Sequence, residues 1–208
     1  MPKLKADYGP VEFQRQTGVS RETVEKLEAY AALLRKWQER INLVSRTTLD
    51  DLWRRHFLDS AQLFTLLPEN TRVQVDLGSG AGFPGLVLAI LGVPEVHLIE
   101  SDSRKAIFLR EAARLTQAPA IVHAERIEKV APFPADVVSA RALASLTELL
   151  PLALPFLGQT GVCLFPKGQS WQEELTQAER VWNMRVDRFD SLTDPSATIL
   201  RIANVVGH

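Results

Sequence analysis

Apolar residues recur every three or four positions through the first part of the chain, residues 1–70. One such run spans positions 20–41 and begins at Ser20, a residue type that caps helix N-termini. A second run spans positions 48–67. Each run predicts an amphipathic helix, and neither helix can bury its apolar face alone. We therefore expect residues 1–70 to form a helical N-terminal extension that packs on the rest of the chain.

From residue 71 onward, short apolar runs alternate with helical patterns. Strands separated by helices run parallel and are joined by right-handed crossovers, so this pattern predicts an α/β fold with a doubly wound sheet. The last two apolar runs, 184–189 and 198–203, are joined by a loop too short for a crossover helix and should pair antiparallel. We expect residues 71–208 to form a single globular domain. The predicted parallel strands lie at 73–77, 96–100, 120–123, 136–140 and 161–165.

A glycine-rich loop, DLGSGAGFPG at residues 76–85, separates the first predicted strand of the sheet from the helix that follows it. Doubly wound sheets bind ligands at the carboxyl ends of their strands, and glycine lets a ligand approach the backbone closely. Gly78 and Gly80 match the dinucleotide-binding fingerprint G-x-G-x-x-G, but Phe83 stands where that fingerprint has its third glycine. The spacing therefore disfavours a nicotinamide dinucleotide.

Acidic residues near the loop indicate which positive and hydrogen-bond-donating groups its ligand carries. Asp76 would repel a pyrophosphate, whereas it suits a positive group such as the ammonium of S-adenosylmethionine. Glu100 ends the second predicted strand, where a carboxylate can accept hydrogen bonds from a ribose diol. The acidic residues within 125–128 follow the third strand and are placed to read an adenine amino group. This ordered set predicts an S-adenosylmethionine-dependent methyltransferase, with an NAD(P)-dependent oxidoreductase and a non-catalytic adenosyl-cofactor-binding protein as alternatives.

Two cations end the fourth and fifth predicted strands, at the same edge of the sheet as the glycine loop. Arg141 is suited to donate hydrogen bonds to a guanine O6, a phosphate or the cofactor carboxylate. Lys167 is predicted to contact phosphate. His56 falls among apolar positions, which predicts a packed and hydrogen-bonded histidine, and Cys163 lies mid-strand, which predicts a small buried hydrophobe.

Composition limits the partners of the protein. The 208 residues include 24 Lys and Arg against 25 Asp and Glu, and the net charge of −1 excludes a protein that coats nucleic acid by bulk charge. One cysteine and the lack of a signal-like or membrane-spanning apolar run predict a cytoplasmic protein without membrane contact. The four histidines are scattered along the sequence, so we expect no metal site.

Motifs between residues 24 and 170 resemble a known family, the bacterial 16S ribosomal RNA (guanine-N7) methyltransferases, or glucose-inhibited division protein B family. Besides the loop at 76–85, the matching segments are 41–43 (INL), 55–60 (RHFLDS), 100–101 (ES), 105–109 (KAIFL), 126–128 (RIE), 141–146 (RALASL) and 167–168 (KG).

The resemblance implies a class I S-adenosylmethionine-dependent methyltransferase with a Rossmann-like sheet, acting on 16S ribosomal RNA of the small subunit, either free or within the 30S particle. It also implies cofactor contacts from Gly78, Phe83, Ile127, Glu128 and Arg141. Guanine N7 carries a free lone pair, so its methylation requires positioning but no general base. The predicted catalytic residues are Arg141 and Lys167, and the predicted cofactor-binding residues are Asp76, Gly78, Gly80, Phe83, Glu100, Ile127, Glu128 and Arg141.

Overall fold

A computed structural model describes residues 8–207 and contains one seven-stranded sheet. The strand order is β3-β2-β1-β4-β5-β7-β6, in which β1 to β5 run parallel and β7 runs antiparallel to both of its neighbours. The antiparallel pairing of the last two strands is therefore confirmed. The strands are β1 (Val73–Leu77), β2 (Glu95–Ile99), β3 (Ala120–His123), β4 (Ala135–Ala140), β5 (Leu157–Lys167), β6 (Trp182–Asp190) and β7 (Thr198–Gly207).

In the part of the chain that the structure describes, eight α-helical segments connect and flank these strands. The first long helix begins, as predicted, at Ser20, whose Oγ accepts a hydrogen bond from the backbone N–H of Thr23 at 3.1 Å. It ends at Gln38 instead of running to position 41, and the Gln38 Oε1 accepts from the backbone N–H groups of Leu43 and Val44. The segments are α1 (Pro10–Thr17), α2 (Arg21–Gln38), α3 (Arg46–Leu49), α4 (Asp59–Ala61), α5 (Gly85–Leu91), α6 (Ser103–Thr116), α7 (Leu146–Ala153) and α8 (Trp171–Ala178).

The second helix of the extension is not the single regular helix that the sequence predicts. A π-helical segment, Trp53–Leu58, precedes α4, and a 3-10 helix, Gln62–Leu66, follows it. Four of the six residues in the π-helical segment are buried, which is more than one stripe of an α-helix presents to a core. The wider turn brings His56 and Phe57 to the same interior, and such π-helical turns are frequent at functional sites.

The helical extension shares its core with one face of the sheet. Tyr30 of α2 packs between Phe57 and Phe83, with ring centroids 5.5 Å apart in both pairs, and it also lies 6.1 Å from Phe108 of α6. The other face of the sheet is covered by α7 and α8. Apolar side chains from residues 8–70 thus belong to the same core as α5 and α6. Within residues 8–207, no helix has the length and the apolar composition that a membrane span requires.

Candidate active site

The glycine loop leaves the carboxyl end of β1 with three glycines at positive φ, Gly78 at 62°, Gly80 at 57° and Gly82 at 90°. Space restricts Gly82 further, because an added Cβ would lie 2.5 Å from the Tyr30 hydroxyl oxygen. That hydroxyl donates a hydrogen bond to the carbonyl oxygen of Ala81. The extension therefore holds the loop directly, through a helix that precedes it by about fifty residues.

Asp76 lies beneath this loop and is fully buried. Its Oδ1 accepts a hydrogen bond from the Ser139 hydroxyl of β4 at 2.7 Å. Burial raises the pKa of Asp76 to about 6, and the bond from Ser139 opposes this shift. The side chain is not among those that line the adjacent cavity, and the predicted contact between Asp76 and a ligand ammonium stays a prediction. Asp76 supports the loop by linking β1 to β4.

A cavity of about 580 Å³ opens between the glycine loop and the carboxyl ends of the parallel strands. This volume is within the usual range for small-molecule and cofactor sites. Leu43 and Val44, from the segment after α2, close one side of it, and Leu143, from the segment after β4, closes another. The predicted cofactor-binding residues that line the cavity are Gly78, Gly80, Phe83, Glu100, Ile127, Glu128 and Arg141.

Glu100 follows β2 and ties the loop to the start of α6. Its Oε2 accepts a hydrogen bond from the Gly80 N–H at 2.8 Å, and its Oε1 accepts from the Asp102 N–H at 2.7 Å. A carboxylate offers about four acceptor positions, so two remain for a ligand. The residue lines the cavity while being largely buried. With these two contacts in place, Glu100 can still accept hydrogen bonds from a ribose diol.

Arg141 follows β4 and is held at the wall of the cavity by the extension. Its guanidinium donates to Nδ1 of His56 at 2.8 Å, to Oδ2 of Asp59 at 3.1 Å and to the carbonyl oxygen of Arg55 at 3.3 Å. The guanidinium carbon also lies 5.1 Å from the centroid of the Phe83 ring, within cation–π range. A positive charge is thereby fixed beside the glycine loop.

His56 is packed and hydrogen-bonded, as the sequence predicts. A guanidinium can only donate, so Nδ1 accepts from Arg141 and Nε2 carries the proton, which it donates to Oγ1 of Thr48 at 2.8 Å. The imidazole ring centroid lies 4.9 Å from that of Phe83. Burial lowers the pKa of His56 to about 3, and the charge of Arg141 adds to this effect. His56 is therefore a neutral acceptor that orients Arg141.

Lys167 does not line the cavity of the glycine loop. Its Nζ donates to Oε2 of Glu174 on α8 and to the carbonyl oxygen of Ala144, both at 2.8 Å, and its side chain is only 8% exposed. Lys167 lines the adjoining cavity instead, and its predicted contact with phosphate stays a prediction. The carboxylate of Glu174 compensates its charge and fixes the segment after β4 to α8.

A second cavity, of about 450 Å³, adjoins the first one, and Arg141 and His56 line both. Two residues that line it, Asp59 and Thr193, come from distant parts of the chain. Asp59 accepts through Oδ1 from the Thr193 hydroxyl at 2.6 Å, although 134 residues separate them. The loop between β6 and β7 is thus tied to the extension, a contact that no local pattern in the sequence encodes.

Other reactive side chains lie away from these cavities. Cys163 is fully buried, and burial raises the pKa of its thiol to about 12, which fits the predicted hydrophobic role. His97 and His123, which are far apart in sequence, meet across β2 and β3 with ring nitrogens 2.9 Å apart. Among residues 8–207, no group of three or more His, Cys, Asp or Glu side chains is arranged to hold a metal ion.

The strand order, the antiparallel β7 and a glycine loop after β1 that borders a cavity define a class I, Rossmann-like methyltransferase fold. A solved ribosomal protein L11 methylase from Lactobacillus delbrueckii subsp. bulgaricus shares this fold, with a TM-score of 0.58 and 17% identity over 70% of this chain and 76% of that one. A family model described as rRNA small subunit methyltransferase G matches residues 23–198. The chain belongs to this family, which confirms the resemblance found in its motifs.

Close relatives extend over nearly the whole chain. A protein named ribosomal RNA small subunit methyltransferase G from Rhodospirillum centenum is 67% identical, over 95% of this chain and 92% of its own length. Its namesake from Rhodospirillum rubrum is 60% identical, over 94% of this chain and 98% of its own length. The protein is therefore a methyltransferase, and the predicted enzyme class is confirmed over the oxidoreductase alternative.

Proposed function

We propose that this protein transfers the methyl group of S-adenosylmethionine to N7 of a guanine in 16S ribosomal RNA. The observation that carries the proposal is the convergence of the glycine loop, Glu100 and Arg141 on one cavity at the carboxyl edge of the sheet. Membership of the rRNA small subunit methyltransferase G family supports the choice of RNA. The names of the two Rhodospirillum relatives, which specify the small subunit, support 16S as the target.

The residues around the cavity fit this cofactor group by group. Glu100 has acceptor positions left for the ribose hydroxyls, and the loop glycines bring backbone close to the ligand. Ile127 supplies an apolar surface for the adenine, and the carboxylate of Glu128 can accept from its amino group. Arg141 is the cation that would pair with the methionyl carboxylate or with the substrate.

S-adenosylmethionine, when bound, supplies an electrophilic methyl group on a sulfonium. Guanine N7 is an acceptor with a free lone pair, so this chain need not remove a proton before the attack. His56, which lines the cavity, is not available as a base, because its acceptor nitrogen already accepts a hydrogen bond from Arg141. The residues act by holding the two reactants in line and by excluding water from the cavity.

Binding and transfer assays test the proposal together. Titration calorimetry should show binding of S-adenosylmethionine and no binding of NAD. Radiolabelled S-adenosylmethionine is then incubated with the protein and either naked 16S ribosomal RNA or 30S subunits lacking the modification. We expect label in at least one of these two substrates and none in 23S ribosomal RNA. Binding of NAD alone, or the absence of label from both substrates, would overturn the proposed function.

A further inference from the structure

The second cavity is separated from the first only by residues that follow β4 and by His56. Arg141, Ala142, Ala144 and His56 line both cavities. The remaining walls come from the extension, from the end of β5 and from the loop between β6 and β7. A molecule in the second cavity would therefore meet a ligand of the first cavity at Arg141.

Two ion pairs line the second cavity, and they differ in how exposed their side chains are. Lys167 and Glu174 bond to each other and are largely buried, so their charges are already compensated. Arg55 and Asp194 form a looser ion pair at 3.3 Å, with side chains 40% and 33% exposed. The carboxylate of Asp194 also accepts at Oδ1 from the N–H and hydroxyl of Ser196. Its Oδ2, which is paired only with Arg55 among residues 8–207, keeps acceptor capacity.

The edges of guanine match this arrangement. N7 and O6 are acceptors on one edge of the base, while N1–H and the 2-amino group are donors on its Watson–Crick side. A guanine with N7 facing the first cavity would place O6 at the boundary that Arg141 occupies and its N1–H and amino donors in the second cavity. Those donors require an acceptor, and the exposed carboxylate of Asp194 is one that lines this space.

We propose that the second cavity receives the target guanine, with Asp194 accepting from its N1–H and 2-amino group and Arg141 donating to its O6. This assignment rests on the proposed function and adds a specificity-determining residue to it. Adenine lacks the 2-amino group and presents an acceptor at N1, so the Asp194 carboxylate would reject it. A site built to pair with a donor discriminates strongly against a base that lacks it.

Asp194→Asn tests the assignment, because asparagine keeps Oδ1 for the Ser196 turn while it removes the charge and replaces an acceptor with a donor. We expect kcat/KM for the ribosomal substrate to fall about 10- to 100-fold, with the Kd for S-adenosylmethionine and the Tm unchanged. The matched control is Asp187→Asn on β6, whose carboxylate forms an exposed pair with Arg185 away from the cavity. We expect the control to keep wild-type kinetics.

A second substrate supplies a readout that a purely structural role would not change. Inosine at the methylated position keeps N7 and O6 but lacks the 2-amino group. The wild type should lose about tenfold in kcat/KM on inosine, and Asp194→Asn should lose much less. Two outcomes would overturn the assignment: equal losses on inosine in both proteins, or wild-type kinetics of Asp194→Asn on guanine. In either case the activity of the wild type on guanine would still uphold the proposed function. Failure of the wild type to methylate the guanine substrate would overturn the proposed function, and this assignment with it.

Discussion

Nδ1 of His56 lies 2.8 Å from a guanidinium nitrogen of Arg141, although 85 residues separate the two side chains. The contact joins the π-helical segment of the extension to the residue that follows β4. Because the imidazole is neutral and its other nitrogen is fixed by Thr48, only one tautomer satisfies both bonds. The helical extension therefore sets the orientation of the cation at the candidate active site.

Removal of this acceptor should impair Arg141 without unfolding the protein. We expect His56→Leu to lower kcat/KM for methyl transfer about tenfold or more and to cost about 1–3 kcal/mol of stability, because a buried donor loses its partner. His56→Gln should retain most activity, since its amide offers one acceptor to Arg141 and one donor to Thr48. Transfer kinetics and urea unfolding of the two variants measure these effects. Wild-type kinetics of His56→Leu would refute the positioning role.

The neutral state of His56 predicts a pH dependence of stability. An unfolded histidine binds a proton below about pH 6.5, whereas native His56 stays neutral until about pH 3. Between these values the unfolded state binds more protons, so stability rises with pH and the contribution is fully present above pH 6.5. The raised pKa of Asp76, about 6 against 3.8, acts in the opposite direction below pH 6.

A comparison with His56→Gln separates the two contributions, because Asp76 is common to both proteins. We expect the free energy of unfolding of the wild type, relative to that of the variant, to rise with pH by up to about 1.4 kcal/mol per unit in this window. Urea unfolding at pH 4, 5, 6 and 7 measures the difference. A difference that stays constant with pH would show that native His56 titrates normally.

Steric crowding at Gly82 predicts a larger effect than positive φ alone. Gly82→Ala would place a methyl group 2.5 Å from the Tyr30 hydroxyl, whereas at Gly92 an added Cβ meets nothing within 4 Å. Both glycines have positive φ, 90° and 122°. We expect Gly92→Ala to cost about 1–3 kcal/mol from backbone strain, and Gly82→Ala to cost more and to weaken S-adenosylmethionine binding. Thermal unfolding and calorimetry compare the two, and equal costs would contradict the crowding.

Lys167 and Glu174 should behave as a structural ion pair. We expect Lys167→Met to cost about 3–5 kcal/mol, because it leaves Glu174 uncompensated in a largely buried site. The double variant Lys167→Met with Glu174→Gln should recover part of this loss. The salt dependence of ribosomal RNA binding should stay unchanged. A stable Lys167→Met whose salt slope falls by about one unit would contradict the structural role and support the predicted phosphate contact instead.

Local sequence signals predicted most of the fold. The strands β1 to β5 were predictable because short apolar runs bounded by turn residues alternate with helical spacing, as at positions 73–77. The π-helical turn at Trp53–Leu58 was not predictable, because the apolar spacing of this segment also fits a regular α-helix. The insertion of β7 between β5 and β6 was also missed, since chain order alone does not specify which strands pair.

The candidate site also combines features that local sequence signals predict with features that depend on contacts between distant elements. Gly78, Gly80 and Glu100 line one cavity, because their place at the carboxyl ends of strands follows from the topology, and their contact with the cofactor stays a prediction. The bonds that hold Asp76 and Lys167 were not predicted, because their partners, Ser139 and Glu174, come from other elements of the chain. Which strand-end side chains turn inward depends on those partners, and one sequence does not encode the pairing in any local pattern.

The most direct test of the proposed reaction is the chemical position of the transferred methyl group. 16S ribosomal RNA from 30S subunits lacking the modification is treated with the wild-type protein and labelled S-adenosylmethionine, digested to nucleosides and analysed by mass spectrometry. We expect the label in 7-methylguanosine at one site, and its loss with Arg141→Ala under conditions where circular dichroism shows that the variant is folded. Label at a guanine exocyclic amine, at another base or at a ribose hydroxyl would contradict the account.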